Sequence, residues 1–155
     1  MRVNTYFAYQ VIFSYNTHMP NPAQTYIALR NRLQTIPSAP VIVEPGEAYP
    51  ASPDTPFILI QDERFDNPRR FASAGAKERQ RGIFALAVMT PLEWTHSQSL
   101  GLSGLVAARF PKGLVLPITG GNPIRMEKDA QLVANAYRDG ASQRQPVHCY
   151  WVVSA

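Results

Sequence analysis

The sequence predicts an α+β domain: a single mostly antiparallel β-sheet with two helices packed on it, preceded by an extended N-terminal arm. Two segments carry apolar residues at helical spacing, and groups of two or three short apolar runs separate and follow them. Strands that follow one another without an intervening helix pair mainly antiparallel, which gives α+β rather than α/β order. The length of 155 residues and hydrophobic content of 45% suit one core if about two-thirds of the unfolded surface is buried. Residues 1–18 therefore form an arm or leader, and residues 19–155 form one domain.

Phe7, Tyr9, Val11, Phe13 and Tyr15 alternate with Ala8, Gln10, Ile12 and Ser14, the two-residue period of a strand. Two readings stand side by side: a β-arm able to add to a neighbour's sheet edge, or a leader ahead of Met19-Pro20-Asn21-Pro22. As an inter-subunit arm, its contact residues would be Phe7, Tyr9, Val11 and Phe13. The first helix starts at Asn21, which can cap. Pro22 suits the first helical position, and Gln24 stands where a capping box needs Glu or Gln. Tyr26, Leu29, Leu33 and Ile36 make its apolar stripe, Arg30, Asn31 and Gln34 face water, and Pro37 ends the run.

Val41–Val43 reads as a short strand. The proline-laced stretch from Glu44 to Pro56 reads as a surface loop, because proline has no N–H for a ladder. Phe57–Asp62 is a strand, and Ile83–Met89 is another with both faces apolar, which puts it at the sheet centre. A basic connection from Asp66 to Gly82 joins them. The second helix is expected over Ser97–Phe110, with Leu102, Leu105, Val106 and Phe110 inward and Gly101 and Gly104 permitting close approach. Leu114–Ile118, Ile124–Glu127, Gln131–Ala136 and Val147–Val153 supply further strand, with Gly120-Gly121-Asn122-Pro123 as a turn.

The formal charge is +4. Between Arg69 and Arg81 there are five basic residues and one acid, the same net value as the whole chain. The remainder is neutral on balance, so charge is a property of one connection and not of a broad nucleic-acid-binding face. Charged residues make up only 17% of the chain and there are 14 prolines, against averages of about 25% and about 5%. Low charge suggests a surface partly covered by neighbours. The single cysteine, Cys149, excludes an internal disulfide and a multi-cysteine zinc site. No run of about 18 apolar residues exists.

Tests for catalytic chemistry come out negative, with no catalytic, cofactor-binding or metal-binding residues assigned. Gly101-Leu102-Ser103-Gly104-Leu105 lacks the second glycine of a nucleophile elbow. His148 and Cys149 are adjacent on a strand and so point to opposite faces, with Cys149 in the core. His18, His96 and His148 are scattered, which does not make a metal site. Asp62, Glu63 and Asp66 read as solvated charges at a strand end. The basic run, with Arg69, Arg70, Phe71, Lys77, Arg79 and Arg81, is the one stretch that suggests a function, with a protein contact, a plain hairpin connection and a nucleic-acid contact as its three readings. Its single aromatic gives nucleic-acid bases little to stack on.

Several local features together resemble the tail terminator family of long-tailed bacteriophages, over about Pro20 to Ala155. They are Tyr26-Ile27-Ala28-Leu29-Arg30-Asn31-Arg32-Leu33 in the capped helix and the proline-laced loop before Pro56-Phe57-Ile58-Leu59. The long basic connection before Gly82-Ile83-Phe84-Ala85-Leu86-Ala87-Val88 is another. That strand passes through Thr90-Pro91 to a helix ending Ala107-Ala108-Arg109-Phe110-Pro111-Lys112-Gly113, and the last strand is His148-Cys149-Tyr150-Trp151-Val152-Val153. Residues 1–18 and Asp139–Gln145 have no counterpart. The resemblance implies a homo-hexameric ring without a cofactor, at the head-proximal end of the virion tail and assembled in the host cytoplasm. One face would meet the tail tube protein and the other the head-tail connector or stopper protein, with DNA passing through the lumen without sequence-specific binding. It implies that the connection Asp66–Gly82 contacts the tube. A neighbouring head-tail completion ring protein and a DNA-contacting module using residues 69–81 are the alternatives, and an enzyme centred on Asp62, Glu63 or Cys149 is a third.

Overall fold

The computed structural model describes residues 21–38, 40–52, 54–66 and 79–154, without the side chains of residues 62–66, 79 and 154. The predicted arm, residues 1–18, lies outside the described residues. The elements run α1 (Pro22–Leu33), β1 (Val41–Val43), β2 (Phe57–Asp66), β3 (Arg79–Pro91), α2 (His96–Ala108), β4 (Val115–Ile118), β5 (Gly121–Met126), β6 (Gln131–Leu132), β7 (Tyr137–Asp139) and β8 (Ser142–Ser154). This is the α+β arrangement the sequence predicts, a mostly antiparallel curled sheet with two helices among the described residues.

The centre of the sheet is the antiparallel pair β3 and β8, in unbroken register from Arg79↔Ser154 to Pro91↔Ser142. β2 lies on the other side of β3, and β1 pairs beside β2. β1 and β2 are parallel, and parallel neighbours need a crossover of about a dozen residues or more. Residues 44–56 supply it. This crossover sets the ring of Tyr49 at 5.2 Å from Phe57, on the sheet face where Val43, Phe57, Ala87 and Met89 form a small second core.

Along the other side of β8 the chain from Gly121 to Asp139 runs antiparallel as one interrupted strand. β5 pairs at Met126↔Trp151, β6 at Gln131↔His148 and Leu132↔Val147, and β7 at Tyr137↔Arg144. β4 hairpins back beside β5 through a turn in which Gly120 has φ +74°, a value glycine adopts without a Cβ clash.

The main core is on the helical face. Leu29, Leu33 and Ile36 from α1 and its exit, and Val106 and Phe110 from α2 and its exit, meet Phe84, Leu86, Val88, Val147, Cys149, Trp151 and Val153. Phe84 takes the edge of Tyr26 at 6.4 Å and packs at 6.0 Å from Phe110. α1 begins as predicted: the Asn21 side chain accepts from the Gln24 N–H at 3.1 Å, and Gln24 Oε1 accepts from the Asn21 N–H at 3.3 Å. α2 also opens on a capping box, with Thr95 as cap and Gln98 answering it. Its helix therefore opens at His96, one residue earlier than expected.

Two departures concern α2. Leu105 is 54% exposed and not in the core, and Gly101 and Gly104 face open space, with nothing within 4 Å of where a Cβ would stand. Ser99 and Ser103 take the inner positions instead. Their hydroxyls are satisfied: Ser103 Oγ donates to the Ser99 carbonyl at 2.8 Å, and Ser99 Oγ lies 2.8 Å from Thr90 Oγ1 on β3. Buried polar groups are tolerated when bonded in this way.

Other boundaries also move. β2 and β3 extend beyond the expected spans, and of Gln131–Ala136 only Gln131–Leu132 is strand. β7 and the first half of β8, around the turn at Gly140, were not anticipated. Gln145, buried in that half, donates Nε2–H to the Ala134 carbonyl at 2.6 Å.

Removing a core ring and removing a helix cap should be separable by urea denaturation. Phe84→Ala is expected to lower stability by about 3–5 kcal/mol and Thr95→Ala by about 1 kcal/mol, read from shifted midpoints at unchanged slope.

Candidate functional site

Among the described residues, the Cys149, His148 and Ser103 candidates do not converge. Cys149 is fully buried beside Phe84 in the main core, and desolvation raises its thiol well above the ordinary range. His148 is on the opposite sheet face, where its ring lies 6.2 Å from Tyr150. Ser103 is inside α2, bonded back to its own helix. The side chains of Asp62, Glu63 and Asp66 lie outside the described residues, as does His18. Among the described residues no group of three or more His, Cys, Asp and Glu side chains is arranged to hold a metal ion, and no helix is long and apolar enough to cross a membrane.

The basic run is divided by the fold. Asp66 ends β2 and Arg79–Gly82 opens β3, so the connection is 67–78 and shorter than the predicted Asp66–Gly82. Arg69, Arg70, Phe71 and Lys77 lie outside the described residues. Arg79 is a strand residue, not a loop residue. Arg81 is also on β3, where its guanidinium meets Glu127 at 3.2 Å with both side chains more than a third exposed. An exposed pair of this kind contributes little to stability, but it offsets one of the charges of the basic run. Lys128, next to Glu127, sits 3.7 Å above the Tyr150 ring, a cation–π contact.

Register fixes what else lies at this end of the sheet. Arg79 pairs with Ser154 and Asp66 with Arg81. β5 meets Val152 only at Arg125, so its earlier residues and the Thr119–Gly120 turn extend past the end of β8. Gln24 Nε2 donates to the Thr119 carbonyl at 2.9 Å, which brings the start of α1 to the same end. The other flank of α1 is held by Glu44, which accepts from Tyr26 Oη at 2.8 Å and pairs with Arg30 Nε at 2.7 Å. Burial, and then the hydrogen bond to Glu44, push the Tyr26 hydroxyl above its ordinary range.

Among the described residues, two surfaces lie without cover. The first is the outward face of α2, where Ser97, Leu100, Gly101, Gly104, Leu105 and Ala108 are all exposed. Leu100 is 39% and Leu105 54% accessible, while the glycines between them leave the helix surface flat. α2 runs beside β6, and the segment there exposes Leu132, Val133 and Tyr137. No Asp, Glu, Lys or Arg occurs from Trp94 to Ala108 or from Ala130 to Tyr137. Depletion of charge is what distinguishes the core of a protein–protein interface from ordinary surface. The signal is in the sequence as those two charge-free runs, which periodicity alone reads as a helix with an inward stripe and as strand.

The second surface is the outer edge of β2. β1 covers only Phe57, Ile58 and Leu59. From Ile60 to Asp66, no strand among the described residues pairs with that side.

No family model matches the chain, and no curated protein matches it. Fourteen chains of solved structures do match. One of them, a protein without a descriptive name, is 15% identical with a TM-score of 0.60, covering 84% of this chain and 91% of that chain. At that identity the likeness establishes the fold alone.

Holding protons in the fold that the unfolded chain releases makes stability fall at high pH. The contribution of the neutral Cys149 thiol is intact below about pH 8.5, and that of the Tyr26 hydroxyl below about pH 10. Each is lost as pH rises beyond those values toward the raised folded range. The urea midpoint is expected to drop between pH 8 and pH 10.5, less steeply in Cys149→Ala and Tyr26→Phe. A thiol reagent at pH 8 should modify Cys149 only after denaturant is added.

Proposed function

We propose that this protein is a structural virion component that assembles into a homo-oligomeric ring at the head-proximal end of a phage tail. The observation that carries the reading is the outward face of α2. A charge-free stripe with two exposed leucines and two open glycines is poorly suited to water and well suited to a neighbouring chain. Closed rings form when one surface of each copy meets a different surface of the next. The ensemble of local features that resembles tail terminators suggests a hexamer set on the tail tube protein. The connection 67–78 would be directed at the tube, the opposite face at the connector or stopper protein, and DNA would pass through the lumen. The role is structural, and the burial of Cys149 and the internal bonding of Ser103 agree with it.

A DNA-contacting role for residues 69–81 is the second reading. The pairing of Arg81 with Glu127 makes it the weaker one.

Native mass measurement of the full chain across concentration, and electron microscopy with purified tail tubes, test the proposal. Leu105→Glu should leave the urea midpoint within about 0.5 kcal/mol of the parent, as for other exposed substitutions. It should also shift the ring toward single chains and abolish tube capping. A parent chain that stays monomeric with and without tubes overturns the reading, as does a Leu105→Glu variant that assembles and caps normally. DNA binding with a salt slope that falls by about three on removing three of the five cationic side chains would favour the second reading.

A further inference from the structure

We infer that Phe7–Phe13 of one copy adds as an edge strand to the outer side of β2, at Asp62–Asp66, of the next copy. The inference rests on the ring reading and names the contact that propagates it.

β2 offers a backbone template there. Its inner side is fully engaged with β3, in regular register from Asp62↔Ala85 to Asp66↔Arg81 once the irregularity between Ile60 and Asp62 is passed. Beyond Leu59 its outer side pairs with no strand among the described residues. An extended strand with a vacant row of N–H and C=O groups is completed by another strand, with main-chain bonds giving affinity and alternate side chains giving specificity. The opposite margin of the sheet is a poorer template: β4 spans only Val115–Ile118 and contains Pro117, which has no N–H to donate.

The donor follows from sequence and from where the chain enters the fold. Phe7, Tyr9, Val11 and Phe13 alternate within a seven-residue run, long enough to cover Asp62–Asp66, and the run contains no proline or glycine. It joins the domain at Asn21, the cap of α1, whose next turn is bonded to Thr119 between β4 and β5. The chain therefore enters on the β4 side, at the end of the sheet where β2 finishes. Residues 14–20 can span up to about 25 Å when extended, enough to leave their own domain. Donor segment and acceptor edge are different parts of the chain, a head-to-tail relation that generates a ring when the rotation closes.

The test uses the full chain with a photo-crosslinking amino acid at position 9, assembled from equal parts isotopically light and heavy protein. Crosslinked peptides from the segment containing residue 9 are expected to join the peptide containing Asp62–Asp66, with light–heavy pairs as abundant as like pairs. Val11→Pro, which removes a ladder donor, should raise the concentration for half-assembly by about tenfold. Asn16→Pro, outside the alternating run, should leave it unchanged. A ring of normal mass whose crosslinks map to any other segment, or only within single chains, overturns this inference and leaves the ring reading intact. A chain that never assembles overturns both.

Discussion

The antiparallel pairing of β3 with β8 is the constraint on which the rest of the molecule depends. Because the two strands stay in register from Arg79↔Ser154 to Pro91↔Ser142, their alternating side chains divide cleanly. Phe84, Leu86, Val88, Val147, Cys149, Trp151 and Val153 go to the helical face, and Ala87 and Met89 go to the other. A one-residue slip would exchange those sets and expose Trp151. Both helices are positioned by what this pair presents. α1 lies against Phe84 through Tyr26, and α2 bonds to the pair through Thr90 and Gln143. The remaining strands extend the pair outward, β2 and β1 on one flank and β5 to β7 with β4 on the other.

What was legible in the sequence was local. Asn21, Pro22 and Gln24 specify a helix start within four residues, and the continuous apolar run at Ile83–Met89 specifies a central strand. Both come from short-range chemistry and hold in the fold. The inward face of α2 was not legible, because a helix without charged residues gives periodicity no polar side to contrast with. Serines whose hydroxyls bond to Thr90 and to the helix itself displaced leucines from the inner positions. The first half of β8 was hidden for the converse reason. Gln143, Arg144 and Gln145 carry no apolar alternation to mark a strand, yet Gln145 is buried with its amide bonded to Ala134 and Arg144 is paired with Asp139 at 2.7 Å.

The candidate site shows the same division. Net charge between Arg69 and Arg81 is read from residues alone, but the engagement of Arg81 by Glu127 needs β3, β8 and β5 side by side. Likewise, no residue type announces that β2 outruns β1, because a vacant edge is a property of pairing and not of composition.

The grip on α1 from both sides has a mechanical meaning. Glu44 holds one flank through Tyr26 and Arg30, and Thr119 holds the other through Gln24, so the helix works as a tie rod across the trough of the sheet. Flattening or tightening the trough would break one anchorage or drag the rod with it. Curvature of the β-layer and the tilt of the helix axis are consequently one variable, fixed together by the four side chains of Gln24, Tyr26, Arg30 and Glu44.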